Sequence, residues 1–268
     1  AYDPDGGDPV DPKNPDGPRQ PRLLWEQVRA AGGPRFEGVD HTSYNSSPAL
    51  WRKDGKTYII TCGDKLTCVD AKTGAVQWQA PGPGGASGTP AVWGDYVVVN
   101  YGLGRGTYAY RMTPDKAEQL WRSSKSDRGT SPLVLDGYVY AYGGGSYACY
   151  DVITGQEQWK QRFGGEISSP LAADGKIFGF YSGGSAITVF RATPENFDPL
   201  DNLRTAGVVA SSPAVANGKL YLRKGNCVAS YALTRDPNEQ EVLPPLAVSA
   251  GKPLRILLGS TQDWVDAR

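Results

Sequence analysis

Four cysteines and one histidine bound the chemistry this 268-residue chain can carry. No two of Cys62, Cys68, Cys149 and Cys227 form a C-x-x-C pair, so their spacing matches neither a zinc pair nor a haem attachment site. Cys62 and Cys68 flank what reads as one hairpin turn. They either pack as small hydrophobes or join in a disulfide, and the spacing leaves both readings open. Cys68 and Cys149 sit too far apart in the chain pattern to be partners. A lone histidine, His41, excludes multi-histidine metal centres and bis-histidine haem ligation. It also leaves one base for any serine or cysteine triad, and nothing around Val39-Asp40-His41-Thr42 positions a nucleophile for it. Asp3, Asp5, Asp8 and Asp11 crowd the first residues; clustered carboxylates can ligate calcium. Their spacing does not fit the D-x-D-x-D-G loop, so calcium is the one ion to consider here and the motif does not specify it.

Those residues must be positioned by a chain with 28 basic and 28 acidic side chains, a balance that argues against nucleic acid or an anionic membrane as partner. Gly (34) and Pro (21) together make about a fifth of the sequence, a proportion that long helices do not tolerate. Tyr (15) and Trp (7) suit pleated, half-buried strands. No apolar run approaches the roughly 20 residues that a transmembrane helix needs. The chain starts Ala1-Tyr2-Asp3, which reads either as a mature secreted protein cut after a small residue or as a fragment boundary.

A repeat organises the rest. Ser46-Ser47-Pro48, Gly88-Thr89-Pro90, Thr130-Ser131-Pro132, Ser168-Ser169-Pro170 and Ser211-Ser212-Pro213 place their prolines 42, 42, 38 and 43 residues apart. A short apolar run and a tight turn follow each: Asp54-Gly55, Gly94-Asp95, Asp136-Gly137, Asp174-Gly175 and Asn217-Gly218. Asp-Gly and Asn-Gly supply the positive φ angles of a type I′ hairpin. Alternating strands come next, and a third strand ends in a phrase. In the first repeat this is Asp70, Thr73-Gly74 and Trp78; in the third it is Asp151, Thr154-Gly155 and Trp159. Repeat two replaces the Asp by Arg111 but keeps Trp121; repeats four and five lose the Trp.

Four short strands in each period of about 40 residues describe an all-β chain, a β-propeller of four-stranded antiparallel blades with about five repeats. Asp70, Thr73, Gly74, Asp151, Thr154 and Gly155 are read as turn builders, and Trp25, Trp78, Trp121 and Trp159 as indoles packed between blades. Trp51 and Trp93, soon after their prolines, either pack likewise or stack on a sugar.

The phrase, with Ser-Ser-Pro and Asp-Gly before it, resembles the pyrroloquinoline-quinone-like (PQQ-like) propeller repeat, over residues 20–234. That family includes quinoprotein dehydrogenase propellers and the propeller lipoprotein of the outer-membrane barrel-assembly machinery. A quinone enzyme of the family implies adjacent cysteines bridged over the cofactor, a catalytic Asp and a calcium cluster near the axis. Here no two cysteines are adjacent, and Asp70 and Asp151 lie within the turn phrase.

The expected organisation is an acidic Pro/Gly-rich arm over 1–21, too poor in apolar groups to bury a core, a propeller over 22–234, and an extension over 235–268. Trp25 has an outer-strand look without a preceding Thr-Gly, and repeat five has inner strands without a Trp. Residues 22–28 are therefore expected to form the outermost strand beside 212–234 and close a five-blade ring; completion by further chain is the alternative. The run Leu254–Leu258 can supply one more strand. The expected function is non-enzymatic: an extracytoplasmic scaffold binding other proteins, or copies of itself through its terminal extensions, with loops such as Tyr101–Gly106 and Tyr181–Gly184 as recognition edges. The alternatives are a quinone-dependent oxidoreductase and a carbohydrate or small-ligand receptor. No catalytic residue and no cofactor beyond calcium is assigned.

Overall fold

The computed structural model describes residues 2–3, 13–14, 16, 22–25, 46–63, 65–83, 88–102, 104–126, 129–163, 169–180, 186–204, 213–224 and 227–233. Two short strands come first, β1 (Tyr2–Asp3) and β2 (Arg22–Leu23). Blade 1 is β3 (Ala49–Lys53), β4 (Lys56–Cys62), β5 (Leu66–Asp70) and β6 (Val76–Ala80). Blade 2 is β7 (Ala91–Trp93), β8 (Tyr96–Tyr101), β9 (Gly106–Met112) and β10 (Ala117–Ser123). Blade 3 is β11 (Leu133–Leu135), β12 (Tyr138–Gly143), β13 (Ser146–Asp151) and β14 (Glu157–Arg162). Blade 4 is β15 (Leu171–Ala173), β16 (Lys176–Phe180), β17 (Ala186–Arg191) and β18 (Pro199–Arg204). Blade 5 is β19 (Ala214–Ala216), β20 (Lys219–Lys224) and β21 (Cys227–Ala232). Each blade is an antiparallel meander in chain order, and no helix occurs among the described residues.

The turn chemistry sets the first hairpin of every blade. Asp54, Asp136, Asp174 and Asn217 have φ between 48° and 51°, and the glycine after each is positive too, as a type I′ turn requires. In blade 2 the order is reversed: Gly94 takes φ 54° and Asp95 does not, the pattern of a type II′ turn.

Burial explains the strand compositions. Five of the six residues of β8 and of β12 are buried, because a central strand has a blade on both faces. Successive side chains point to opposite blades. Val97, Val99 and Tyr101 join Ile60, Leu66 and Trp78 of blade 1 in one core. Val98 packs with Val139, Ala148 and Tyr150 of blade 3 in the next. The same alternation continues through blades 3 and 4 (Tyr140, Ile177, Phe190) and blades 4 and 5 (Phe178, Val189, Leu220). There is no single core; the hydrophobic free energy is spread over a series of inter-blade layers.

The blades are also tied near their innermost strands. The Thr89 N–H donates to Ser131 Oγ of the next blade (2.9 Å), and the Ser131 N–H donates to Ser169 Oγ (3.0 Å). That chain of bonds gives the residue before each proline its reason to be Ser or Thr. At Gly88 the approach is close: a Cβ there would lie 2.5 Å from the Thr130 carbonyl oxygen.

Among the described residues, the expected pairing of residues 22–28 with 212–234 is not seen. β2 pairs with β1, Tyr2 opposite Leu23 and Asp3 opposite Arg22. Among the described residues blade 5 has three strands, with β21 at the end of its sheet. Residues 235–268, including Leu254–Leu258, lie outside the described residues.

Candidate functional site

The repeat phrase is built as follows. Asp70 Oδ1 accepts the N–H groups of Lys72 and Thr73, both at 2.9 Å; the Gly74 N–H donates to the Asp70 carbonyl, and the Ala75 N–H to Thr73 Oγ1. Asp151 repeats the pattern with Ile153 (2.9 Å) and Thr154 (2.7 Å), and adds a bond from the Thr154 hydroxyl. Gly74 and Gly155 sit at φ 76° and 72°, a region that side-chain-bearing residues seldom enter. The Thr73 and Lys72 N–H groups hold the Asp70 carboxyl below its ordinary range. At Asp151 partial burial pushes upward, yet the bonds from Thr154 and Ile153 outweigh it and the carboxyl is again lowered. Both carboxylates are thus ionised acceptors that order a turn.

Each turn is also a seat for the indole of the preceding blade. Trp78 donates its Nε1 proton to the Thr113 carbonyl (2.9 Å), Trp121 to Val152 (2.9 Å) and Trp159 to Thr193 (2.8 Å). These three tryptophans stand opposite Cys68, Ala109 and Cys149, equivalent places in successive third strands. A bulge in the outer strand falls just before each one and turns its ring toward the neighbouring blade. A Cβ on Gly155 would lie 2.5 Å from Trp121 Cγ, so the glycine is the floor of the seat as well as the hinge of the turn. Trp25 behaves as a member of the set: its Nε1 donates to the Ala71 carbonyl (3.0 Å), and its ring lies over Gly74. Although β2 does not pair with blade 5, Trp25 occupies the place on blade 1 that the outer-strand indole of a preceding blade would fill. Blade 4 breaks the series, because Asp201 stands opposite Val189 where the tryptophan would be.

The cysteines do not bridge. Cys62 pairs with Leu66 across the hairpin, whereas Cys68 pairs with Ile60, so the two stand on different rungs of the ladder; both are buried thiols. Burial pushes Cys62, Cys68 and Cys149 up to about 12, far from a reactive thiolate. Cys62 neighbours Tyr101, whose hydroxyl lies 3.4 Å from that of Tyr110, and the latter donates to the Pro81 carbonyl (3.1 Å).

Trp51 is 2% exposed and packs against Tyr58, which removes it as a sugar platform. Trp93 is 37% exposed, but one face stacks on Tyr96 with centroids 5.8 Å apart. Tyr101, expected on a recognition edge, is fully buried; Arg105 beside it reaches the Pro83 carbonyl at 3.1 Å. Asp3 lies in β1, while Asp5, Asp8, Asp11, His41 and the loop Tyr181–Gly184 fall outside the described residues. Among the described residues no three His, Cys, Asp or Glu side chains come together as a metal site, and no helix is long and apolar enough to cross a membrane.

Sequence reasoning missed the bulges, the bonds through Ser131 and Ser169 that link blades 2, 3 and 4, and the Asp201 substitution. The last was legible in principle, since the register of β17 and β18 follows from the repeat once the bulge is known.

Comparison with known proteins agrees with this geometry. A family model described as "Outer membrane protein assembly factor BamB" matches residues 17–125 and 104–194. A curated protein of that name from Burkholderia pseudomallei (strain K96243) is 30% identical over 146 residues, 50% of this chain and 37% of its own length. The crystal structure of BamB from Moraxella catarrhalis superposes with a TM-score of 0.52 at 18% identity, covering 70% of this chain and 58% of that one. The computationally designed Ika8 protein gives 0.55 at 14%, covering 68% and 57%. At such identities the two structures speak for the fold alone, and the chain spans well under two thirds of each of these relatives. With matching turns, matching indole seats and a family model that covers most of the blades, the chain belongs to the PQQ-like β-propeller family of the outer membrane protein assembly factor BamB.

Proposed function

We propose that this chain is a rigid propeller module of an extracytoplasmic assembly scaffold that binds other proteins and carries out no catalysis of its own. The observation that carries the reading is the use made of its polar repeat residues. Asp70 and Asp151, the acidic groups nearest in pattern to a quinone enzyme's catalytic carboxylate, are engaged by turn N–H and hydroxyl groups. The indoles face neighbouring blades through Nε1 bonds, and three of the four thiols are buried. What remains for recognition is the set of exposed rims and loops on a stiff support, which suits docking of a polypeptide. The printed name of the relatives, an outer membrane protein assembly factor, supports the same reading and suggests a location outside the cytoplasm.

The test is site-specific cross-linking from exposed rim positions, in a Gram-negative bacterium whose own BamB has been deleted and with this chain exported. The expected result is adducts with proteins of the outer-membrane assembly apparatus. Export of folded chain with no such adduct from any rim position would remove the proposal. Adding pyrroloquinoline quinone and calcium to the purified chain tests the oxidoreductase alternative, which requires a bound-quinone absorbance band.

A further inference from the structure

Between blades 2 and 3 lies a small cleft lined by Thr107, Lys125, Tyr150 and Lys160 among others. Lys160 projects from β14 on the side that faces blade 2, since it stands opposite Ala148, a residue of the core shared by those blades. Lys125 follows β10, its backbone fixed by the Thr107 hydroxyl, which donates to the Lys125 carbonyl at 2.9 Å. Its stem lies along Gly144, in ordinary contact at 3.7–4.0 Å with where a Cβ would be. Both lysines line this cleft, and Lys160, followed by desolvation, holds the Lys125 amine below the usual lysine range. Glu157 acts in the opposite sense but leaves the pair short of one negative charge. The Tyr150 hydroxyl, 3.5 Å from Ser123 Oγ, adds a neutral donor on the same wall.

Two like charges brought together by separate blades repel unless an anion stands between them, where the repulsion becomes two charge-assisted hydrogen bonds. The cavity is about 10 Å³, room for a group of one water's size. The carboxylate of an acidic side chain can place one oxygen there on the end of its stem. We propose that Lys125 and Lys160, with the Tyr150 hydroxyl, form a seat for a single carboxylate, presented by an acidic side chain of a protein partner. The nature of the bearer rests on the scaffold reading above; the seat does not.

The experiment uses the whole chain labelled with ¹³C at lysine Cε, with chloride exchanged for acetate at constant ionic strength. The Lys125 and Lys160 signals are expected to move together along one saturating curve while the other lysines drift linearly. Lys160→Gln should weaken the acetate response at Lys125 roughly tenfold, the effect of one lost charge-assisted contact, and Lys160→Arg should retain it. Both substitutions are at an exposed residue, and an unchanged far-ultraviolet spectrum checks that the variants are folded. Absence of saturation, or saturation by inorganic phosphate but not by acetate, overturns the proposal. Acetate binding without partner cross-links would leave the seat standing and count against the scaffold reading alone.

Discussion

Replacing Gly155 by alanine isolates the contact on which blade stacking depends. Two effects add. The residue sits at φ 72°, and a Cβ in the left-handed region costs about 1–2 kcal/mol. The new methyl would also lie 2.5 Å from Trp121 Cγ and 2.7 Å from Cδ2, an overlap that must lift the indole from its seat or strain the turn, about 1–3 kcal/mol more. The expected loss is therefore about 2–5 kcal/mol. Gly175→Ala is the control: its φ is 65° and nothing lies within 4 Å of the added methyl, so only the backbone contribution of about 1–2 kcal/mol remains. Guanidinium unfolding followed by far-ultraviolet circular dichroism measures both. The excess at Gly155 should shrink in a Trp121→Ala background, where of the three close atoms only the Cβ at 2.9 Å remains, as a double-mutant cycle can show. Equal losses at Gly155 and Gly175, within about 0.5 kcal/mol, would refute the claim that the Thr-Gly turn is an indole platform.

Three further outcomes follow from the same structure. Trp159→Phe keeps an aromatic face but removes the donor to the Thr193 carbonyl; a loss of about 1–2 kcal/mol in chemical unfolding is expected. A thiol reagent at pH 8 should label Cys227, which is exposed, and leave Cys62, Cys68 and Cys149 unlabelled until denaturant is added, because burial pushes those three up to about 12; intact-mass counting of labels reads this directly. Asp70 and Asp151 are lowered in the folded chain, so their contribution is fully present above the ordinary aspartate value of about 4 and is lost as pH falls through their folded values. Asp151→Asn should flatten that acid branch of the stability profile, and an unchanged profile would count against the turn assignment.

The blade number and the hairpins were readable along the chain because they are local. Asp-Gly and Asn-Gly pairs at a fixed period place positive φ angles by their own steric freedom, and the structure has them where the pattern does. The inter-blade role of Trp78 and Trp159 was legible from their shared eight-residue distance to Asp70 and Asp151, whereas Trp121, ten residues after Arg111, was placed by the period of the repeat. The partner of β2 was not, since a two-residue strand carries too little pattern to choose between β1 and blade 5. Nor was the fate of Tyr101, whose loop-like glycine neighbours suggested exposure while the facing blade buries it completely.

The sequence by itself determined the wedge: a four-stranded unit, its turns, and the glycine and indole that join it to the next. Only the tertiary structure decided where the bulges aim the tryptophans, what buries Tyr101, and which charges meet between blades 2 and 3. These depend on the approach of one blade to another across tens of residues, and no local preference of the chain encodes that distance.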